Sequence, residues 1–310
     1  MNETTNPRWA FIVNPVAGNG KSLVVEKQLK IEIEKRNLNA EIALTERKNH
    51  ASELAENFAK RDFNFIVAVG GDGTLNETAK ALVNFPDIIL GLIPAGTGND
   101  FAQILALPKS FKNADWNTFF DAHICKVDVG RCNGNLFFNG MGLGFDAQVA
   151  VENYISPDEV KKGGANKYIG HILKNLFFFK EQNMIIDLEG KQMKETCFIH
   201  TISIGRRYAG GFFLTPKAFA DDGLFDICMV KKLNLFQRVS ILLKVPKGTH
   251  LSHPKVNYYQ ADKLKIKVDK KVAYHLDGEL FFDTDFDIDI LKHKLRFIYF
   301  PKGNHYLSSC

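Results

Sequence analysis

Short apolar runs alternate with segments of helical period through the first third of the chain. Phe11–Val13 precedes a helical pattern at Ser22–Arg36, Ala40–Leu44 precedes Ala51–Lys60, Phe65–Val69 precedes Leu75–Val83, and Ile88–Ile93 precedes Phe101–Leu105. This rhythm predicts a parallel sheet with helices on both faces. Phe65-Ile66-Val67-Ala68-Val69 is apolar throughout, which suits a strand buried on both sides. Near Asp128 the pattern turns to β. Asn133-Gly134 between two β-rich runs predicts a tight hairpin, and others are expected at Glu189-Gly190 and Asp221-Asp222-Gly223. A helix is expected at Phe145–Tyr154 and an exposed loop at Ser156–Asn166. Over Asn166–Lys180 a helical face of Ile169, Ile172, Leu173, Leu176 and Phe177 reads as core, while Phe178, Phe179 and Lys180 keep membrane contact open. The division expected is an α/β domain over 1–128 and a mainly antiparallel β domain over 129–294, with 295–310 free to return to the first.

Composition narrows the class. At 310 residues the chain exceeds what one hydrophobic core usually serves, and 45% apolar with 24% charged residues excludes fibrous and disordered classes. The net charge of +5 favours an anionic ligand or a membrane surface and is too small to argue for nucleic acid. Five scattered cysteines without a Cys-x-x-Cys pair read as reduced thiols of a cytoplasmic protein. Residues 1–8 lack the apolar core of a signal peptide, and no apolar stretch approaches the roughly 20 residues of a spanning helix. Any membrane contact is therefore expected from the cytoplasmic, inner face.

The candidate chemistry lies in three Gly-rich loops, each following a predicted strand and opening a helix. They are Asn14-Pro15-Val16-Ala17-Gly18-Asn19-Gly20-Lys21, Gly70-Gly71-Asp72-Gly73-Thr74-Leu75-Asn76-Glu77, and Pro94-Ala95-Gly96-Thr97-Gly98-Asn99-Asp100. Glycines admit a phosphate close to the backbone, and helix starts present unpaired N–H groups to it. Asp72 beside a phosphate calls for magnesium, or for a base acting on an incoming hydroxyl. The first loop nearly forms a Walker A sequence, but Pro15 stands where its first glycine belongs. Asp277-Gly278-Glu279 sets two carboxylates about a flexible glycine; alone it is also an ordinary surface hairpin. Asn139-Gly-Met-Gly-Leu-Gly144 is read as close strand–helix packing rather than a dinucleotide loop, and Asp283-x-Asp285-x-Asp287 as a half-buried strand rather than a calcium loop.

These loops, with Val127-Asp128-Val129-Gly130, Asn139-Gly-x-Gly-x-Gly-Phe-Asp146, Asp221-Asp222-Gly223-Leu224 and Asp277-Gly278-Glu279, resemble the diacylglycerol kinase catalytic-domain family over nearly the whole chain. The bacterial members are the nearest in pattern, with sphingosine and ceramide kinases further off. The resemblance implies an α/β nucleotide-binding domain of NAD-kinase and diacylglycerol-kinase type, followed by an antiparallel β-sandwich that takes the lipid. It implies ATP and magnesium as cofactors. Asn14, Pro15, Gly18, Lys21, Thr45, Gly71, Asp72, Gly73, Thr74, Leu75, Asn76, Glu77 and Thr97 would serve the nucleotide, and Asp72 with Asp100 the magnesium–water network. Lys21 and Asp128 match a polar relay near the phosphates. Asp222, with the Phe219 and Leu224 carbonyls, matches a structural magnesium site, and Asp277 with Glu279 the motif of the proton acceptor. The expected partner is a lipid substrate met by peripheral membrane contact, without nucleic acid; a homodimer stays open. An NAD kinase, or a non-catalytic nucleotide- or lipid-binding module, remains the alternative.

Overall fold

A strand whose residues are all apolar must be covered on both sides, and β3 (Phe65–Gly70) is buried along its whole length. In the computed structural model, which describes residues 7–152, 154–156, 159–160 and 174–309, β3 lies between β1 (Arg8–Val13) and β4 (Ile89–Pro94). β2 (Asn39–Leu44) pairs on the far side of β1, and these pairings are all parallel. The helices α1 (Lys21–Arg36), α2 (His50–Lys60), α3 (Asp72–Leu82) and α4 (Asp100–Ile104) alternate with the strands, within a few residues of the positions their periodicity predicts. A fifth helix, α5 (Asn113–Phe120), adds an aromatic cluster: Trp9 stacks on Phe65 at 3.9 Å and meets Phe120 edge-on. Gly91 in β4 has no side chain because Phe119 and Val67 occupy the space.

The chain divides into two units. The first comprises Met1–Asp128, Ala220–Asp222 and Lys292–Cys310; the second comprises Val129–Phe219 and Gly223–Leu291. The expected boundary at 128 thus coincides with the division, but Ala220–Asp222 and Lys292–Lys294, assigned above to the second domain, fall in the first. The last part of the long strand β15 (Glu279–Ile298) explains the second of these, since Arg296 and Phe297 pair in parallel with Ile89 and Leu90 of β4. Ala220, for its part, donates its N–H to Tyr306 O at 2.9 Å and accepts the Asp128 N–H at 2.8 Å.

The second unit is antiparallel. β5 (Ile124–Cys132) turns at Asn133-Gly134 into β6 (Asn135–Phe137), both turn residues having positive φ (48° and 83°). β7 (Gly140–Gly144) is wholly buried between β11 (Lys191–Ser203) and β14 (Lys263–Leu276). Its glycines are strand residues: a Cβ at Gly140 would overlap Tyr208, and one at Gly142 would overlap Asp146 and His275. Beyond β11 lie β12 (Phe225–Lys231) and β13 (Val256–Ala261), and β10 (Gln182–Leu188) bridges β11 and β14. The Glu189-Gly190 hairpin joins β10 to β11 as expected. Asp221-Asp222-Gly223 does not join two strands; it precedes β12 after an irregular stretch. The alternating lysines and aspartates pair across β14 and β15, Lys265 with Asp287 at 3.5 Å and Lys267 with Asp285 at 3.2 Å. Helix α6 (Phe145–Glu152) follows β7, and after it β8 (Tyr154–Ser156) pairs antiparallel with β9 (Glu159–Val160). In the helix expected at Asn166–Lys180, 166–173 lie outside the described residues, as do 157–158 and 161–166 of the expected loop. Residues 174–178 are helical, but Phe177 faces out while Phe179 is buried, the reverse of the sequence expectation. Among the described residues no helix is long and apolar enough to cross a membrane.

Candidate active site

β1, β3 and β4 run parallel, so the loops that follow them emerge at one edge of the sheet. Backbone contact holds the three loops together. Gly71 and Gly96 touch main chain to main chain: a Cβ on Gly71 would lie 3.1 Å from the Gly96 Cα, and one on Gly96 would overlap Gly71. Gly18, at φ +57°, packs on the Ala95 carbonyl, again leaving no room for a side chain. Ala95 and Gly96 donate to the Gly70 carbonyl at 2.7 and 3.2 Å.

Polar side chains complete the frame. Asn14 Nδ2 donates to Thr74 Oγ1 at 3.1 Å, and Asn14 Oδ1 accepts the Val16 N–H at 3.2 Å. Asn99 closes the third loop, accepting from Gly96 N at 3.1 Å and donating to Gly96 O at 2.8 Å. Asp72 reaches across to α4, where Oδ2 accepts the Asp100 N–H and Oδ1 the Phe101 N–H, each at 3.2 Å. These donors start a helix and lack intrahelical acceptors, so a carboxylate suits them. Thr45, buried after β2, donates its N–H to Val13 O at 2.8 Å and so stands beside Asn14. The crests are open: Gly73, Thr97 and Gly98 are exposed, and the space beside Gly73 is empty within 4 Å.

The remaining residues singled out for the nucleotide have other engagements. Leu75 is core and Asn76 is buried. Glu77 accepts the Ala51 N–H at 3.3 Å, and its carbonyl takes the Ser52 hydroxyl at 2.7 Å, so it caps α2. Pro15 is half-buried at the start of its loop. Lys21 Nζ donates to Lys109 O at 3.1 Å, whereas fully buried Asp128 accepts the His293 N–H at 2.6 Å. The proposed relay residues are engaged separately.

In the second unit Asp277 is a heavily used carboxylate. It accepts N–H groups from Phe138 at 2.7 Å, Asn139 at 2.9 Å and Gly140 at 2.8 Å, and its own N–H returns to Gly140 O. The donors lie well over a hundred residues away, so nothing local in the sequence announces them. Glu279, half-buried, begins β15 after the exposed Gly278. His275, which the sequence reading passed over, stands two positions before Asp277 and places Nε2 3.5 Å from Asp146 Oδ2. Its signal was its place at the end of β14, two residues before the Asp277-Gly278 turn.

Asp222 falls in the first unit, Phe219 and Leu224 in the second. The neighbour, Asp221, was read only as part of a turn. It is buried, and its oxygens accept Ser308 N at 2.5 Å and Ser309 N at 2.8 Å, while its carbonyl takes His293 Nε2 at 2.9 Å. The described cysteines are buried and free, and burial pushes the Cys132, Cys197 and Cys228 thiols up to about 12, which makes them poor nucleophiles.

The diacylglycerol kinase catalytic domain matches residues 8–132, and the YegS C-terminal NAD kinase β-sandwich-like domain matches residues 140–298. The chain belongs to the diacylglycerol kinase family. It is 31% identical over 271 residues to the diacylglycerol kinase of Staphylococcus haemolyticus, covering 87% of this chain and 81% of that protein. The Bacillus subtilis enzyme is 31% identical over 235 residues, covering 74% and 75%. A Bacillus anthracis crystal structure, provisionally assigned as a diacylglycerol kinase, superposes with a TM-score of 0.77 at 23% identity over 97% of both chains, which shows a shared fold. The family pairs a catalytic domain with a C-terminal β-sandwich, and its kinase activity implies ATP.

Proposed function

We propose that this chain transfers the γ-phosphoryl group of ATP to the free hydroxyl of a lipid, diacylglycerol before sphingoid bases or glycerophospholipids. One observation carries the reading: three Gly-rich loops meet by backbone contact that only glycine allows, with Asp72 bracing them. Such a frame presents N–H groups and a carboxylate, and no bulky side chains, to a phosphate chain.

Phosphoryl transfer demands positioning and charge neutralisation more than covalent chemistry. The N–H groups at the start of α3, with Gly73 open beside them, suit the phosphates. Asn14 and Thr74 steady the first two loops, and Thr97 crowns the third. Lys21 is exposed and can leave its carbonyl for a phosphate oxygen at little cost. Magnesium fits this donor set. Among the described residues no three His, Cys, Asp or Glu side chains gather about one point, and magnesium at a kinase site rests on one or two carboxylates, phosphates and water. Asp72 would hold it, with Asp100, and the ion would neutralise charge developing on the transferred group. Glu279 is the proposed acceptor of the alcohol proton, because the Asp277 carboxylate is consumed by three backbone donors.

The NAD-kinase reading shares the β-sandwich, but the domain matched at 8–132 carries the lipid-kinase side. A non-catalytic module would lack part of the carboxylate set, which here is complete. Peripheral contact with the inner membrane face follows from a lipid substrate; no nucleic-acid partner is proposed, and a homodimer stays a proposal. Incubation with labelled ATP, magnesium and separate lipids, with NAD as control, tests the reading. Labelled phosphatidic acid is expected; label in NAD alone overturns it.

A further inference from the structure

Helix α7 (Leu235–Lys244) begins with a reciprocal cap, Asn234 accepting from Gln237 N at 3.0 Å and Gln237 accepting from Asn234 N at 3.1 Å. Its inner positions Arg238 and Ile241, with Val245 just beyond it, are buried, the two apolar ones in a core with Leu176, Phe179 and Phe198. Its outer positions Phe236, Val239 and Leu243 follow the spacing i, i+3, i+7, and Phe236 and Leu243 are 88% and 72% exposed. A helix apolar on both faces is normally covered on both. Among the described residues of the second unit, only the inner face is packed in the core.

Arg238 extends this surface. Its guanidinium donates to the Leu176 and Phe179 carbonyls at 2.7 and 3.0 Å and pairs with Glu181 at 2.6 Å, which fastens residues 176–181 to α7. In that segment Phe178 and Phe177 are 77% and 58% exposed, whereas Leu176 and Phe179 point into the core. The surroundings are basic. From Lys231 to Lys255 there are six Lys or Arg residues and no Asp or Glu; Arg238 and Lys231 are paired with Glu181 and Glu195, which leaves four lysines, and Lys174 and Lys180 flank the phenylalanines. Glu181, the acidic residue beside them, is already paired with Arg238.

We propose that the outer face of α7, with Phe177 and Phe178, docks on an anionic lipid bilayer. The aromatic and leucyl side chains would enter the acyl boundary, and the lysines would remain among headgroup phosphates. A second copy of this chain is a poorer occupant, because face-to-face pairing would set the lysine-rich segments against each other. The inference rests on the lipid-kinase reading only for its purpose, delivery to a substrate that resides in the bilayer.

The test uses the full chain, phosphatidylglycerol vesicles and phosphatidylcholine vesicles, without ATP. Binding is expected to the first and not the second, and to weaken as salt rises. Phe236→Glu with Leu243→Glu should lower partition at least tenfold without shifting the melting temperature. Phe236→Trp should show a blue-shifted emission on adding anionic vesicles. Wild-type partition by the double variant overturns the proposal. So does loss of a dimer with vesicle binding unchanged, which makes the face a subunit contact. Turnover of a short-chain, water-soluble diacylglycerol, measured separately, should be unchanged; if wild type lacks it, the kinase reading fails while the vesicle result stands.

Discussion

Asp72, which opens α3, and Asp277, in the turn before β15, both neighbour glycines and hold distant backbone, yet they are held differently. Asp277 takes three N–H groups at 2.7–2.9 Å, whereas Asp72 takes two at 3.2 Å. An ionised carboxylate offers about four acceptor positions. At Asp277 close backbone donors use most of them; at Asp72 the bonds are long and positions remain for a cation. A motif carboxylate is available for chemistry only to the extent that the architecture leaves it unused. In the neighbouring pair Asp221 and Asp222, Asp221 is committed in the same way as Asp277, to Ser308 and Ser309.

The largest effect that can break this comparison is expected at Asp72. Asp72→Asn should lower kcat by about 10²–10³ while the protein stays folded, the usual cost of losing a charge-stabilising group. Near-wild-type turnover would remove Asp72 from the chemistry. Next comes Glu279→Gln, expected to reduce kcat about 10²-fold with little change in ATP affinity, as loss of a general base does. Asp277→Asn should behave otherwise: destabilisation of about 1–3 kcal/mol in urea melts, from buried N–H groups left unpaired, with turnover per folded molecule reduced less than in Glu279→Gln. The reverse order would return the base to Asp277.

Magnesium sharpens the second pair. Asp222→Ala should lower the melting temperature more in magnesium than in EDTA, by mass action, while Asp221→Asn should lower it alike in both. Equal losses under both conditions would deny Asp222 a metal. The smallest effect vanishes at neutral pH. Burial lowers the His200 imidazole to about 4, so the folded state keeps it neutral. Its folded pKa lies below the unfolded value near 6.5, so its stability contribution is present above that value and lost as pH falls toward 4. His200→Leu should flatten the decline in melting temperature over that interval; an unchanged slope would assign the acid limb to other groups.

The strand–loop–helix rhythm was readable because buried strands and amphipathic helices impose different periods on the sequence. That placed β1 to β4 and the three glycine loops to within three residues. The contact of Gly71 with Gly96 was not readable, since only the sheet brings those loops together. Asp277 looked like a free carboxylate because its donors lie where β6 passes into β7, far away in sequence. Phe177 and Phe179 were exchanged because Phe179 lies just past the described helical residues 174–178, where helical spacing no longer sets which way a side chain faces. Asp221 was passed over for the same reason as Asp277: its partners Ser308 and Ser309 come from the opposite end of the chain.

The pairing of β4 with the end of β15 has a consequence in time. Ile89 and Leu90 are made early, and Arg296 and Phe297 only after the whole second unit. At about 5–20 residues per second, translation leaves that side of β4 without its partner for on the order of ten to forty seconds. An unpaired, apolar strand edge invites pairing with another chain. The nascent first unit therefore needs shelter until the last strand emerges, and a fragment cut at residue 132, where the match to the catalytic domain ends, keeps that edge permanently open.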